Sequence, residues 1–291
     1  MTRNLGTVAG LPERAPGYHV LGEGDAFDVS DCVCRAGACS PVFGGEHARV
    51  CVSVVLSGVF HVRGPEGDAL VGPGALVLGN REAPYEFRHV DDGGDRSLVI
   101  ECSDALLAEA LRSLGRAARD TRPFERTCVP ASLASMEAVL LARQALEQGD
   151  AEHLREAVLT VVDAALRLGG ERADARVERS DRQARRVARV LRYLESHAAE
   201  DCSLETLAGI AGLTTFHFLR VFRAMTGQTP RQLVIATRLR LAAASLRTSR
   251  TRVTDVALES GFGDLSHFTT SFTRAFGLSP RAYRMRALGR R

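Results

Sequence analysis

The stretch SLETLAGIAGLTTFHFLRVFRAMTGQTP, residues 203–230, is repeated in outline as RVTDVALESGFGDLSHFTTSFTRAFGLSP, residues 252–280. In each copy a short apolar helical pattern runs to a glycine, and an amphipathic helical pattern follows it. The offset between the copies is 49 residues before the turn and 50 after it, so the second turn holds one extra residue. Self-similarity at a fixed spacing indicates two copies of one supersecondary unit. Each copy has the parts of a helix-turn-helix.

Capping residues and paired phenylalanines mark the helices of both units. Side chains that can cap a helix N-terminus precede three of the helical patterns. The predicted helices are 204–211 after Ser203, 215–225 after Thr214, and 265–276 after Asp264. The pairs Phe218/Phe222 and Phe268/Phe272 are four residues apart, so each pair lies on one helix face, and we expect both pairs in the core.

Two Ser/Thr-Pro steps predict further helices. Thr229-Pro230 and Ser279-Pro280 each combine an N-cap with proline in the first turn. The first step begins a long helix that would connect the two helix-turn-helix units rigidly, and the second begins a short helix.

Charge divides the chain near Asp181. Residues 182–291 hold 19 arginines and 7 acidic residues, a net charge of +12, whereas the preceding residues carry a net charge of −9. Such a basic unit suits a polyanion, because each neutralised phosphate releases condensed counterions. Charge alone would also fit a membrane surface.

Residues 182–288 resemble the DNA-binding domain of the AraC/XylS family of transcription regulators, including the GF at 261–262 and the closing SPRAYR at 279–284. The resemblance implies seven helices, two of which enter successive major-groove segments on one face of double-stranded DNA. It implies a transcription regulator, with activation as the working expectation. RNA polymerase and a second copy of the chain, in a homodimer, are the further partners that we expect.

The resemblance also assigns DNA-facing residues. Arg220 could fork onto guanine or hold a phosphate, and we favour base contact. The second recognition helix departs from the family, because Leu265 and Thr270 stand where long polar side chains are common, so we predict asymmetric readout. The candidate DNA-binding residues are Thr214, Thr215, Phe216, Leu219, Arg220, Arg223, Asp264, Leu265, Ser266, Thr269, Thr270, Arg274 and Arg281.

The N-terminal part has a different pattern of apolar residues. Short alternating runs between Tyr18 and Ser103, broken by Gly and Pro, predict a β-barrel or sandwich, and the run DALVGPGALVLGN at 68–80 looks like a cupin turn. The expected fold class is therefore α+β, with a cupin-like barrel and helical hairpin before an all-α DNA-binding domain. The expected segments are a cupin-like sensor at 1–103, a helical dimerisation or linker region at 104–168, a flexible linker at 169–181, and the DNA-binding domain at 182–291. The apolar face of the hairpin, which includes Met136, Val139 and Leu140, would pack onto the barrel or form a dimer interface.

A group of cysteines supports a second hypothesis for the function of the N-terminal part. Four cysteines lie within 20 residues, next to a histidine, so a thiol-based metal or redox sensor has to be weighed against simple buried cysteines. The residues of this cluster are Cys32, Cys34, Cys39, His47 and Cys51.

No enzyme, cofactor or membrane segment is expected. His47, His61 and His89 occur singly, without the His-x-His spacing of a catalytic cupin, which makes an enzymatic barrel the weaker alternative. A repair enzyme with an appended DNA-binding module would need a reactive cysteine motif that is missing, and an accessory DNA binder would show weak sequence preference. The N-terminus has no apolar leader and the chain has no run of 18 apolar residues, so a cytoplasmic protein is expected.

Overall fold

Antiparallel strands occupy the N-terminal part of the computed structural model, which describes residues 17–22, 25–148, 151–170 and 181–288. The described strands are β1 Gly17–Gly22, β2 Phe27–Cys34, β3 Phe43–Glu46, β4 Cys51–Gly58, β5 Phe60–Gly64, β6 Gly67–Val71, β7 Leu76–Gly79, β8 Pro84–His89, β9 Asp95–Cys102 and β10 Cys128–Val129.

The strands divide into two sheets. One has the order β1-β2-β9-β4-β7-β10 and the other has the order β3-β8-β5-β6. The chain changes sheet between β4 and β5 at Gly58, whose positive φ of 90° is accessible to glycine at little cost. Because the described strands form two separate sheets, the closed barrel expected from the sequence is not formed among them. The β-sandwich, the other fold expected from the sequence, consists of two sheets and agrees with this topology.

The helices α1 to α3 cover the six-stranded sheet. They are α1 Asp104–Ser113, α2 Met136–Gln148 and α3 Ala151–Gly169. Val158, Val161 and Val162 of α3 lie in one apolar core with Val52 and Leu98 of the sheet. Burial of these side chains supplies the main driving force for docking the helices, since removing apolar surface from water is favourable.

The apolar face of the helical hairpin is divided between two cores. Val139 packs with the six-stranded sheet, whereas Met136 and Leu140 pack against the C-terminal helices. All three are buried within the chain. Val139 is therefore packed as the first of the two expectations has it, whereas the packing of Met136 and Leu140 on the C-terminal helices was not foreseen, and the dimer interface predicted on this face is not free in this structure.

Seven helices follow within the described residues from 181 to 288, as the resemblance implied. They are α4 Asp181–His197, α5 Leu204–Ala211, α6 Thr215–Thr226, α7 Pro230–Thr248, α8 Val253–Glu259, α9 Leu265–Phe276 and α10 Pro280–Leu288. The chain is thus a mixed helix and sheet protein with an all-helical C-terminal part. No helix in the described part of the chain combines the length and the hydrophobicity that a membrane crossing needs. The linker expected at 169–181 falls mostly on residues 171–180, which lie outside the described residues.

The C-terminal helices share apolar cores with the rest of the chain. The two sheets formed by β1 to β10, with their connecting loops, are called the two-sheet unit below. Val59, Leu70 and Val90 of this unit lie in the same apolar cluster as Leu191 and Phe218. The predicted division of the chain into separate regions did not foresee this contact, because periodicity within a segment carries no information about which other segment covers its apolar face.

Candidate nucleic-acid interface

The first helix-turn-helix consists of α5 and α6. The Ser203 hydroxyl accepts a hydrogen bond from the Thr206 amide at 3.2 Å, which confirms the predicted cap of α5. Gly212 ends α5 with a φ of 62°, and its missing Cβ allows this left-handed turn. Thr214 occupies the N-cap position of α6, but its side chain accepts no capping hydrogen bond from the described helix. The predicted Thr214 cap is therefore wrong in its hydrogen bond, although the helix begins where expected.

The second helix-turn-helix consists of α8 and α9. Asp264 accepts a hydrogen bond from the Ser266 amide at 2.7 Å, so its predicted capping role is confirmed. The carboxylate also lies at the positive end of the helix dipole, which adds to the stabilisation. Helix α9 has the predicted bounds.

Paired aromatic rings hold both second helices in place. Phe218 and Phe222 lie 5.3 Å apart between ring centroids, and Phe268 and Phe272 lie 5.5 Å apart. All four side chains are fully buried, which confirms that they belong to the core. The opposite faces of α6 and α9 are consequently fixed in orientation and free to meet a ligand.

Helix α7 connects the two units. The Thr229 hydroxyl accepts a hydrogen bond from the Gln232 amide at 3.3 Å, and the Gln232 side chain in turn accepts one from the Thr229 amide at 2.8 Å. This capping box fixes the start of the helix. The predicted long connecting helix is confirmed.

The predicted DNA-facing residues of α6 lie on its outer face. Phe216 is 87% exposed, which is unusual for so large an apolar side chain in a unit that buries its other phenylalanines. Arg220 and Arg223 are exposed, as is Thr214, while Thr215 and Leu219 are half-buried.

The outer face of α9 is made of small polar groups and one leucine. Leu265 is 43% exposed, and Asp264, Ser266, Thr270 and Arg274 are exposed, while Thr269 is half-buried. Arg281, on α10, is exposed. Two further exposed side chains were missed by the sequence interpretation, His267 and Thr273. Thr273 could have been found from helical spacing, because it lies three residues after Thr270 on the same stripe.

Helix α4 joins the first helix-turn-helix to the loop between β8 and β9. Arg192 binds the Asp91 carboxylate through Nη2 at 2.6 Å and Nε at 3.0 Å, and Nη2 also donates to the Gly94 carbonyl oxygen at 2.9 Å. Burial opposes ionisation of Asp91, yet the Arg192 hydrogen bonds hold its pKa below the usual range. Glu195 accepts a hydrogen bond from the Gly58 amide at 2.9 Å.

An arginine-rich cleft of about 730 Å³ opens beside this contact. The five arginines lie on α4, and Asp91 stands opposite them on the loop. The arginines are Arg182, Arg185, Arg186, Arg189 and Arg192. The cleft therefore places a group of positive charges at the boundary between α4 and the loop that joins β8 to β9.

The cysteine cluster of the sequence is not one group in space. Cys51 Sγ lies 3.3 Å from His47 Nδ1, and burial raises the pKa of the Cys51 thiol far above its ordinary value. Cys32 and Cys34 are buried, while Cys39 is exposed. Among the described residues, the metal-donor atoms that come together are those of Cys34, His89 and Asp95.

Comparisons with known proteins agree with this geometry. Residues 207–286 match the family profile described as "Helix-turn-helix domain". The chain is similar to the HTH-type transcriptional activator RhaS of Enterobacter sp. (strain 638), with 37% identity over 113 residues, which make up 39% of this chain and 41% of that protein. It is also similar to RhaS of Citrobacter koseri, with 39% identity over 99 residues, or 34% of this chain and 36% of that protein.

A solved structure is similar over the same region. It is the DNA-binding domain of AdpA in complex with a target DNA, with 36% identity, a TM-score of 0.35, and coverage of 36% of this chain and 95% of that one. The aligned region spans about two fifths of the length of the curated relatives.

The two units define a helix-turn-helix protein. Residues 207–286 form a helix-turn-helix domain of the AraC type.

Proposed function

We propose that the whole chain is a one-component transcription regulator that binds specific DNA sequences through α6 and α9. The observation that carries the proposal is the pair of complete helix-turn-helix units, each with a buried phenylalanine pair and an exposed outer face. A single helix-turn-helix unit cannot be told from any helical hairpin with a glycine turn. Two such units in one strongly basic part of the chain favour a DNA-binding function.

Direct base readout is concentrated in α6. Arg220 carries a planar, exposed guanidinium that can donate two hydrogen bonds to guanine, and Phe216 can contact a thymine methyl group. The outer face of α9 offers Ser266, Thr270 and Leu265, which discriminate less strongly between bases. The arginines Arg223, Arg274 and Arg281 are assigned to phosphates, because they are exposed on the same helical units.

The two-sheet unit is proposed as the cupin-like sensor of a small molecule or another signal. Its supporting feature is the direct contact with α4 through Asp91 and Gly94, since a change in that loop can reach the first helix-turn-helix through this one helix. The proposed segments are the sensor at 1–103, the helical region at 104–168, the linker at 169–181 and the DNA-binding domain at 182–291.

The proposal also covers the binding partners of the regulator and its location in the cell. Activation through RNA polymerase is inferred from the name of the RhaS relatives, which are activators. The protein would act in the cytoplasm as a homodimer, without catalysis. Because the hairpin face is packed within the chain, the second copy would bind elsewhere, and sedimentation of the purified protein at several concentrations tests whether a dimer forms.

The central experiment measures binding of the purified full chain to DNA from upstream of its own gene, against random DNA at the same salt concentration. We expect a preference of at least about a thousandfold for the specific site. Equal affinity for both DNAs would overturn the proposal in favour of an accessory DNA binder. Absence of binding to either would overturn the assignment of the interface.

A further inference from the structure

Three donor side chains meet at the corner where the chain passes from one sheet to the other. Cys34 and Asp95 face each other as a cross-strand pair of β2 and β9, and His89 ends β8 in the second sheet. Cys34 Sγ, a ring nitrogen of His89 and a carboxylate oxygen of Asp95 lie within 4.8 Å of one another. His89 and Asp95 lie six residues apart at the two ends of one loop, whereas Cys34 is distant in sequence and is brought to them by the pairing of β2 with β9.

The cluster is buried. Cys34 is 5% exposed, and the side chains of His89 and Asp95 are 3% and 9% exposed. The rings of Phe43 and Phe60 lie 6.0 and 6.2 Å from the His89 ring, between centroids, and make the surroundings apolar. Polar groups in such a place need partners, because an unmet hydrogen-bonding group away from water is costly.

One ring nitrogen of His89 has no hydrogen-bond partner among the described residues. His89 Nε2 lies 2.5 Å from Asp95 Oδ1, whereas the buried His89 Nδ1 has no hydrogen-bond partner among the described residues. A histidine whose one nitrogen is held by a carboxylate while the other stays free is the usual arrangement of a metal ligand, since the carboxylate orients the ring. The Cys34 thiol acts on the same ring, so thiol, imidazole and carboxylate already face one another.

We propose that Cys34, His89 and Asp95 form a site for one divalent transition-metal ion of the zinc type. Sulfur, nitrogen and oxygen donors together suit Zn²⁺, which accepts all three, and do not suit Ca²⁺ or Mg²⁺, which prefer oxygen alone. Asp95 either binds the ion directly or orients His89. One coordination position is left for water or an external ligand where Asp95 binds the ion, and two are left where Asp95 orients His89 instead.

The site lies at the base of the loop that holds α4. The carbonyl oxygen of Gly94, next to Asp95, accepts a hydrogen bond from Arg192, and Asp91, which also binds Arg192, follows His89 by two residues. A side chain at Gly94 would overlap the Cys34 carbonyl oxygen, so the loop and β2 already touch. An ion bound on both sides of this loop therefore restrains the segment that binds α4.

Metal binding is tested on the purified full chain with Co²⁺, which reports thiolate coordination by charge-transfer absorption where Zn²⁺ is silent. We expect one Co²⁺ per chain with a thiolate band, displaced by Zn²⁺. Cys34→Ser should remove the band and weaken Co²⁺ binding by at least about tenfold, and His89→Gln should weaken binding by a similar factor. Cys39→Ser changes an exposed thiol outside the proposed site of Cys34, His89 and Asp95. It should leave the thiolate band and the Co²⁺ affinity unchanged.

Absence of a thiolate band, or its loss in Cys39→Ser and not in Cys34→Ser, would overturn the site. Because the Cys34 and His89 variants could misfold, the unmodified protein gives a second test that needs no substitution. Zn²⁺ should slow labelling of Cys34 by a thiol reagent at least about tenfold relative to metal-free protein, and equal labelling rates would contradict the proposal. Slower hydrogen exchange at residues 90–95 with Zn²⁺ would support the restraint on the loop, and unchanged exchange would refute it. None of these measurements involves DNA, so their failure is distinct from failure of the proposed function.

Discussion

Arg192 on α4 and Asp91 on the loop between β8 and β9 form a two-point ion pair, with Nη2 to Oδ1 at 2.6 Å and Nε to Oδ2 at 3.0 Å. The side chains are 27% and 31% exposed, so the pair lies between a surface ion pair and a buried one. It joins residues 101 positions apart and links the two-sheet unit to the helix-turn-helix region.

The Arg192–Asp91 pair is expected to contribute measurable coupling to stability. In a double-mutant cycle with Arg192→Ala and Asp91→Ala, the coupling free energy of unfolding should be about 1–2 kcal/mol, because two charge-assisted hydrogen bonds form in a partly desolvated place. Urea unfolding of the four proteins measures it. Arg185→Ala, on the same helix but with an exposed side chain, is the control, and additive effects of the Arg192 and Asp91 changes would contradict the prediction.

Phe216 and Phe218 should have opposite phenotypes although they are two residues apart. Phe218→Ala removes a fully buried ring and should lower the unfolding free energy by about 3–5 kcal/mol. Phe216→Ala should change stability little, since the side chain is already in water, and should weaken specific DNA binding. Thermal unfolding and binding measured on both variants decide this, and equal destabilisation would contradict the assigned faces of α6.

Arg220 and Thr270 should differ in their effect on specificity. Arg220→Ala should relax discrimination in one half of the DNA site by about 1–3 kcal/mol, because a paired contact with guanine is lost. Thr270→Ala should do little. Binding to a set of singly mutated DNA sites measures both, and equal losses would refute the asymmetry.

Arg223→Ala serves as the control for Arg220. Because Arg223 is assigned to a phosphate, its removal should weaken binding to all sequences alike and reduce the salt slope by about 1. A change in sequence preference in this variant would reverse the assigned roles of the two arginines.

The two N-caps of the second helices should not be equivalent. Asp264→Ala should lower stability by about 1 kcal/mol, because it removes a capping hydrogen bond and a charge that favours the helix N-terminus. Thr214→Ala should cost less, since the Thr214 hydroxyl makes no such bond with the described helix. Chemical denaturation of both variants measures the difference, and a larger loss at Thr214 would contradict it.

His47 should make the protein sensitive to mild acid. Burial lowers its pKa to about 4, despite the opposing charge of Glu66. The unfolded chain, with an ordinary histidine pKa near 6.5, then binds more protons below that pH, so stability falls as the pH drops from about 6.5 towards 4. At pH 5 the loss from this group should be about 2 kcal/mol.

The control for His47 is His47→Gln, which keeps a polar side chain without the titration. Unfolding measured at pH 7 and pH 5 should show a smaller acid loss in the variant, by about the same 2 kcal/mol. Other titrating groups are common to both proteins and cancel in the comparison. Parallel pH curves would show that His47 is not the group responsible.

Local rules were sufficient for the C-terminal helices. Ser203, Asp264 and Thr229 act as caps where their side chains and the following patterns indicated, and the phenylalanine pairs are buried as their spacing required. These features depend on contacts within a few residues, which a single sequence contains. The Thr214 side chain makes no capping hydrogen bond with the described helix, so a residue type that favours the N-cap position is not sufficient to predict that bond.

Sequence by itself determined the two helix-turn-helix units, because helical periodicity fixes which side chains share a face, and the family resemblance implied the outward positions of Phe216 and Arg220. Only the tertiary structure decided that Arg192 binds Asp91, that Met136 and Val139 enter different cores, and that Cys34 meets His89 and Asp95. These contacts join distant segments, and strand pairing and sheet packing, which no local pattern specifies, bring them together.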